Sequence, residues 1–169
     1  MKNLIIILLM FTCISVRAQK KGNVFASLEF LRQTGASLYY NHKLSNSKFG
    51  IGAGVQVVNF KSDSYSALAD FRYYIPVGKS TFIPNIQIGK NFDEFGNIRN
   101  PVMPSVPATG KGGFHSNFNM GYSYKLLKNG GGPYINSGVR FLSYNYFANG
   151  SKVDSNFTSD FLLSVGFRF

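Results

Sequence analysis

Chemistry has few places to reside in this chain: two histidines, His42 and His115, one cysteine, Cys13, and seven carboxylates among 169 residues. Two histidines with no carboxylate at ligand spacing make a poor metal site, so no metal or other cofactor is expected. His115 and Ser116 are adjacent, and neighbours on an extended strand project to opposite faces. They cannot serve each other as nucleophile and base. A serine from another strand remains able to approach either histidine, but the preferred reading of His115 is a polar group facing an interior. Gly130-Gly131-Gly132 resembles a phosphate loop only superficially, because neither Lys-Ser/Thr nor a helical pattern follows it. A tight turn explains it better. Gly50, Gly52 and Gly54 fall on one face of a strand, leaving room for bulky neighbours such as Tyr74 or Arg72. No catalytic residue is named, and a non-enzyme is expected.

The elements that must position these groups begin after a leader. Met1-Lys2-Asn3, an apolar run from Leu4 to Phe11, and Val16-Arg17-Ala18 have the layout of a signal peptide cleaved after Ala18. The run is too short to span a bilayer as a helix. Its removal takes Cys13, Lys2 and Arg17 with it, so residues 19–169 form one domain without thiol chemistry and the net charge falls from +11 to +9. Nucleic acid is not an expected partner for an exported chain whose basic residues are scattered singly along the sequence. Phosphates of anionic lipid or lipopolysaccharide are the better match.

Period-two alternation dominates what remains. Phe157, Ser159, Phe161, Leu163, Val165, Phe167 and Phe169 oppose Thr158, Asp160, Leu162, Ser164, Gly166 and Arg168. Phe118, Met120, Tyr122 and Tyr124 likewise oppose His115, Asn117, Asn119 and Lys125. Weaker alternation predicts strands over 49–60, 64–76, 80–92 and 132–147. Residues 23–44 read as two strands or one long kinked strand, and two are preferred because Arg32–Gly35 then serves as a turn. The result is eight strands with two sorts of connection. Ser45–Lys48, Val77–Lys79 and Lys128–Gly131 are short, whereas Asp93 to Gly110 and Ala148 to Asn156 are long. The predicted fold is an all-β, eight-stranded antiparallel up-and-down transmembrane barrel.

Alternation alone does not say which face points outward, since a soluble cup would bury the apolar one. The polar face decides. It is built of Gly, Ser, Asn, Thr and Gln, which suit the cramped lumen of eight strands, with isolated charges of both signs. Glu29, Asp70, Arg72, Lys125, Arg140, Asp160 and Arg168 are therefore expected to form a lumen charge network, with Glu29 and Asp160 near arginines where the first and last strands meet. The tyrosines fall largely near strand ends, where amphipathic rings suit a headgroup region.

The terminal Phe167-Arg168-Phe169, closing a strand of alternating apolar residues, resembles the C-terminal strand of bacterial outer-membrane barrels, porin-family-like and of the size of the outer-membrane protein A transmembrane domain. That resemblance implies integral outer-membrane localisation in a Gram-negative envelope. It also implies that Phe167 and Phe169 belong to a signal read by the barrel-assembly machinery. Some barrels of this size are lipid A deacylases or acyltransferases that use His with Ser, but the His-x-Ser spacing is missing here. The leading expectation is a monomeric anchor and surface-interaction protein. A narrow channel for ions or small apolar solutes is the first alternative and a lipid A-modifying enzyme the second. The candidate interaction loop is 93–111, carrying Asp93, Glu94, Arg99, Met103 and Lys111, with three prolines to limit its freedom.

Overall fold

The computed structural model describes residues 22–31, 34–59, 64–99, 107–128 and 130–169. The expected leader and Met103 lie outside them. Ten strands and no helix occur among the described residues: β1 (Gly22–Leu31), β2 (Gly35–Lys43), β3 (Phe49–Asn59), β4 (Ser64–Tyr73), β5 (Ile75–Val77), β6 (Ser80–Asn91), β7 (Glu94–Arg99), β8 (Pro107–Tyr124), β9 (Gly132–Ala148) and β10 (Ser151–Arg168). All pairings are antiparallel. The ring runs β1-β2-β3-β4-β6-β8-β9-β10 and closes where β10 pairs with β1, Phe25 opposite Arg168 and Leu31 opposite Leu162. β5 continues β4, and β7 continues β6, so ten segments make eight staves. The fold is a closed eight-stranded antiparallel barrel. Residues 23–44 form two strands, β1 and β2.

Turn chemistry sorts the two ends. Asn46, Gly78 and Gly130 adopt φ of 56°, 59° and 94° in the three short turns, where the left-handed region favours Asn and Gly. The split between β4 and β5 has a specific cause. Pro84 lies within β6, flanked on both sides, and cannot donate to a ladder. The β4–β6 pairing therefore stops at Arg72–Asn85 and resumes at Ile75–Phe82, while the Tyr74 N–H donates to the Lys48 carbonyl at 2.7 Å.

Two expected loops are instead largely strand. β7 pairs with the start of β8, Glu94 opposite Lys111 and Arg99 opposite Pro107. Ser151–Asn156 pairs with β9 up to a tight turn at Asn149 and Gly150, whose φ of 52° and 77° mark the hairpin geometry that Asn-Gly favours. The candidate interaction loop is thus a ribbon projecting from the barrel, joined by residues 100–106, which lie outside the described residues.

The faces are inverted relative to a water-soluble protein. β4 alternates strictly, with Ser64, Ser66, Leu68, Asp70 and Arg72 buried between exposed Tyr65, Ala67, Ala69 and Phe71. Phe161 is 76 % exposed and Phe118 49 %, whereas Asp160 is 8 % and Arg72 2 % exposed. Phe71, Ile86, Phe118, Val139 and Phe161 occupy successive paired positions around five staves, forming an apolar outer belt.

Candidate functional site: the filled polar lumen

Eight staves enclose a space that side chains nearly fill, and the inward rows here fill it in two zones. Toward the short-turn end, Phe25, Tyr39, Leu68, Tyr74, Ile83 and Tyr134 pack as a buried cluster. The Arg72 guanidinium lies 3.6 Å from the Phe25 ring centroid and within 6 Å of the Tyr39 and Tyr134 centroids. Its Nε donates to Asp70 Oδ2 at 2.6 Å and Nη1 to the Tyr134 hydroxyl at 3.2 Å. The planar cation is thus held by a carboxylate at its edge and by aromatic faces around it. Tyr39, Tyr74 and Tyr134 correct the expectation of strand-end tyrosines in a headgroup region: these three point inward and plug the lumen.

The second zone is one continuous hydrogen-bond network. The Tyr74 hydroxyl donates to Asn41 Oδ1 at 2.8 Å, and Asn41 Nδ2 donates to Asp70 Oδ2 at 2.8 Å. Gln87 Nε2 donates to the other Asp70 oxygen at 3.0 Å. Asn117 Nδ2 bridges Gln87 Oε1 at 2.9 Å and Gln56 Oε1 at 3.1 Å. Gln56 Nε2 donates to both Glu29 oxygens at 2.7 Å, and Arg140 Nη1 donates to Glu29 Oε2 at 3.2 Å. The Glu29–Arg140 and Asp70–Arg72 charges are therefore paired, and amide side chains, each with a donor nitrogen and an acceptor oxygen, link the pairs. A cavity of about 10 Å³ bounded by Ser27, Glu29, Ser37, Tyr39, Arg72 and Gln87 is water-sized.

Among the residues anticipated for this network, Glu29, Asp70, Arg72, Arg140, Asp160 and Arg168 are all buried. Asp160 sits opposite Arg140 on the neighbouring strand. Arg168 hydrogen-bonds the Gly130 carbonyl with Nη2, which ties the last strand to a short turn. Lys125 is a correction. By parity it follows Ser123 inward, but β8 ends at Tyr124 and Lys125 is exposed in the turn beyond. The residues that parity alone undervalued are the amides Asn41, Gln56, Gln87 and Asn117, which carry most of the links. Gly50 and Gly54 confirm the role of small residues: a Cβ at Gly50 would strike Asn41 and Tyr74, and one at Gly54 would strike Tyr39. The bulky neighbour is thus Tyr74 rather than Arg72, with Asn41 and Tyr39 added.

His115 does meet a serine from another strand. Its Nδ1 lies 2.7 Å from Ser66 Oγ and its Nε2 3.0 Å from Asn117 Oδ1. Asn117 Oδ1 can only accept, so Nε2 carries the proton and Nδ1 accepts from the Ser66 hydroxyl. The contact has the polarity of a base beside a nucleophile. Both side chains are wholly buried within the lumen. The contact serves the network.

At the mouth, Asp93 is half-buried, and that burial raises its carboxyl above the ordinary range against the opposing effect of bonds from the Ser64 hydroxyl and Glu94 amide. Glu94 and Lys111 pair at 3.3 Å on the exposed ribbon, and Phe95 stacks edge-on against Tyr144 and Tyr146. Arg99 ends β7 opposite Pro107. Phe167 and Phe169 lie with ring centroids 4.9 Å apart, and the Phe169 N–H donates to the Val24 carbonyl at 2.9 Å. No family of proteins, no curated protein and no solved structure matches this chain.

Proposed function

We infer that the chain is an integral outer-membrane protein whose barrel is an anchor closed by its own side chains and whose projecting ribbons meet the surroundings. The observation that carries this reading is the inversion of faces: an exposed belt of Phe71, Ile86, Phe118 and Phe161 around a lumen of paired charges and amides. In water such a belt would be a large aggregation-prone patch, whereas in hydrocarbon it is matched to its solvent. Closure of the ring pairs each of the eight staves with a neighbour on both sides, as a bilayer requires. In this reading the partners are membrane lipids, lipopolysaccharide and, during biogenesis, the barrel-assembly machinery. The working state is a monomer, and no enzymatic activity is assigned.

A plugged lumen distinguishes an anchor from a channel. The network crosses the barrel from Tyr74 to Ser66, and the aromatic cluster with Arg72 blocks the short-turn end. Planar bilayers containing the purified barrel are expected to show no reproducible single-channel conductance. Steady unitary currents from the wild type would overturn the anchor reading in favour of a pore. Fractionation with a heat-shift gel tests the location, since a folded barrel in the outer membrane migrates differently before and after boiling.

A further inference from the structure

We propose that the short-turn rim and the groove beside it hold an anionic diacyl phospholipid, with acyl chain in the groove and phosphate among the lysines. The proposal rests on the membrane reading above and adds a lipid class and a place to it.

Folding gathers basic residues that are scattered along the sequence. Lys43, Lys48, Lys79, Lys125 and Lys128 all lie exposed at the end bearing the three short turns. No Asp or Glu side chain accompanies them there among the described residues. Asp93, Glu94 and Asp154 lie at the opposite end, where Glu94 holds Lys111, and Glu29, Asp70 and Asp160 are buried inside. The turns are also tied to one another. The Lys125 N–H donates to the Lys79 carbonyl at 2.7 Å, which sets two of these lysines on adjacent turns. A basic rim without Asp or Glu side chains among the described residues attracts an anionic headgroup layer.

The outer wall beside this rim is not flush. A groove of about 540 Å³, within the range of small-ligand sites, is lined by Phe49, Phe71, Tyr73, Pro84, Ile86 and Met120. Its origin is the interruption at Pro84, where β4 and β6 part, together with the small Ser137 on β9. Phe49 directly follows Lys48, and the Lys48 carbonyl accepts the N–H of Tyr74, next to Tyr73. The apolar groove therefore runs up to the basic rim. An apolar slot ending at lysines complements an amphiphile with a hydrocarbon chain and a negative head. A zwitterionic lipid offers the same chain without the net charge.

The test inserts the full barrel into bilayers that mix phosphatidylglycerol with phosphatidylcholine, extracts it gently, and counts retained lipid by native mass spectrometry. A heat-shift gel on every sample reports insertion separately. Phosphatidylglycerol is expected to be enriched over its bulk share by about fivefold, or about 1 kcal/mol, for each lysine engaged. The variant Lys48→Gln/Lys79→Gln/Lys125→Gln should insert and lose the enrichment, and Ser137→Phe, which fills the groove, should retain less of both lipids. An inserted wild type that shows no enrichment overturns the proposal, as does enrichment that survives the triple lysine substitution. A wild type that fails to insert in any bilayer overturns the membrane reading itself, a result visible on the gel before any lipid is counted.

Discussion

Arg140 Nη1 lies 3.2 Å from Glu29 Oε2, joining β9 to β1 inside the barrel across 111 positions of sequence. Both side chains are 2 % exposed, and between their strands runs β10, whose pairing with β1 closes the ring. The pair spans the closing stave from within, and Gln56 completes the carboxylate's coordination with two further bonds.

Removing one partner should therefore cost far more than removing both. Glu29→Leu leaves a buried guanidinium without its carboxylate, and a loss of about 3–5 kcal/mol is expected. Adding Arg140→Met to that variant should recover much of it, because two well-packed apolar groups replace a desolvated pair. Urea unfolding in detergent micelles, followed by tryptophan-free circular dichroism or a heat-shift gel, gives the three stabilities. Strictly additive losses would show that the two residues do not act as a pair.

The outer belt carries a prediction whose outcome depends on the solvent. Phe118 is half-exposed at the middle of the apolar ring, paired with Ile86 and Val139. Phe118→Arg should cost about 2–4 kcal/mol for the barrel folded in a bilayer. At an exposed position in water, the same change would stay within about 0.5 kcal/mol. Unfolding titrations in vesicles decide between the two. A neutral result in a protein shown to be inserted would mean that Phe118 does not face lipid.

The barrel was legible in the sequence where one face carries exposed apolar side chains and the other a packed interior. β4 and the second half of β10 show it: outward Phe71 lies between buried Asp70 and Arg72, outward Phe161 follows buried Asp160, and outward Val165 follows buried Ser164. Alternation faded where both faces meet solvent. Ser151–Asn156 has mainly exposed residues on both sides, so nothing in its composition marks it as strand, although it pairs with β9 on either side of a register shift between Lys152 and Asp154. The start of β8 was hidden for another reason. Between Gly112 and His115 the register with β9 shifts, so Ala108 and Gly110 face inward on even positions while His115 and Asn117 face inward on odd ones. One bulge reverses parity, and a reading of period two breaks off there. Lys125 failed for the complementary reason: parity continued one residue past the end of the strand. The network's amides were visible as polar face, but which of them bond depends on pairing across three or more staves, which no local pattern encodes.

The ribbon above the barrel should be separable from the barrel itself. Phe95 packs on Tyr144 and Tyr146, at 5.6 Å and 6.4 Å between centroids, and Gly110 leaves the room its ring occupies. Phe95→Ala removes contacts worth about 0.5–1.5 kcal/mol beyond burial. Amide hydrogen exchange in 107–112 should then accelerate about two- to tenfold, with exchange in 115–124 unchanged. Gly110→Ala, which drives a methyl into the same ring, should act alike. Slowed or unchanged exchange in both variants would show that the aromatic contact does not hold the ribbon. Glu94→Gln, by contrast, breaks only an exposed pair and should cost less than about 1 kcal/mol.

The last residue tests assembly apart from stability. Phe169 is 42 % exposed, and its backbone, not its ring, makes the closing bonds to Val24 at 2.9 Å and 3.3 Å. Phe169→Ser keeps both bonds and removes a ring whose main neighbour is Phe167. The purified variant should thus refold into detergent or vesicles nearly as well as the wild type. In cells the outcome should differ, because a terminal aromatic is the feature that resembles an assembly signal: the amount of heat-shiftable barrel in the outer membrane should fall several-fold while synthesis is unchanged. Equal loss in both settings would make Phe169 a packing residue. Equal yield in both would remove the terminal aromatic from assembly, leaving the inverted faces as the support for a membrane location.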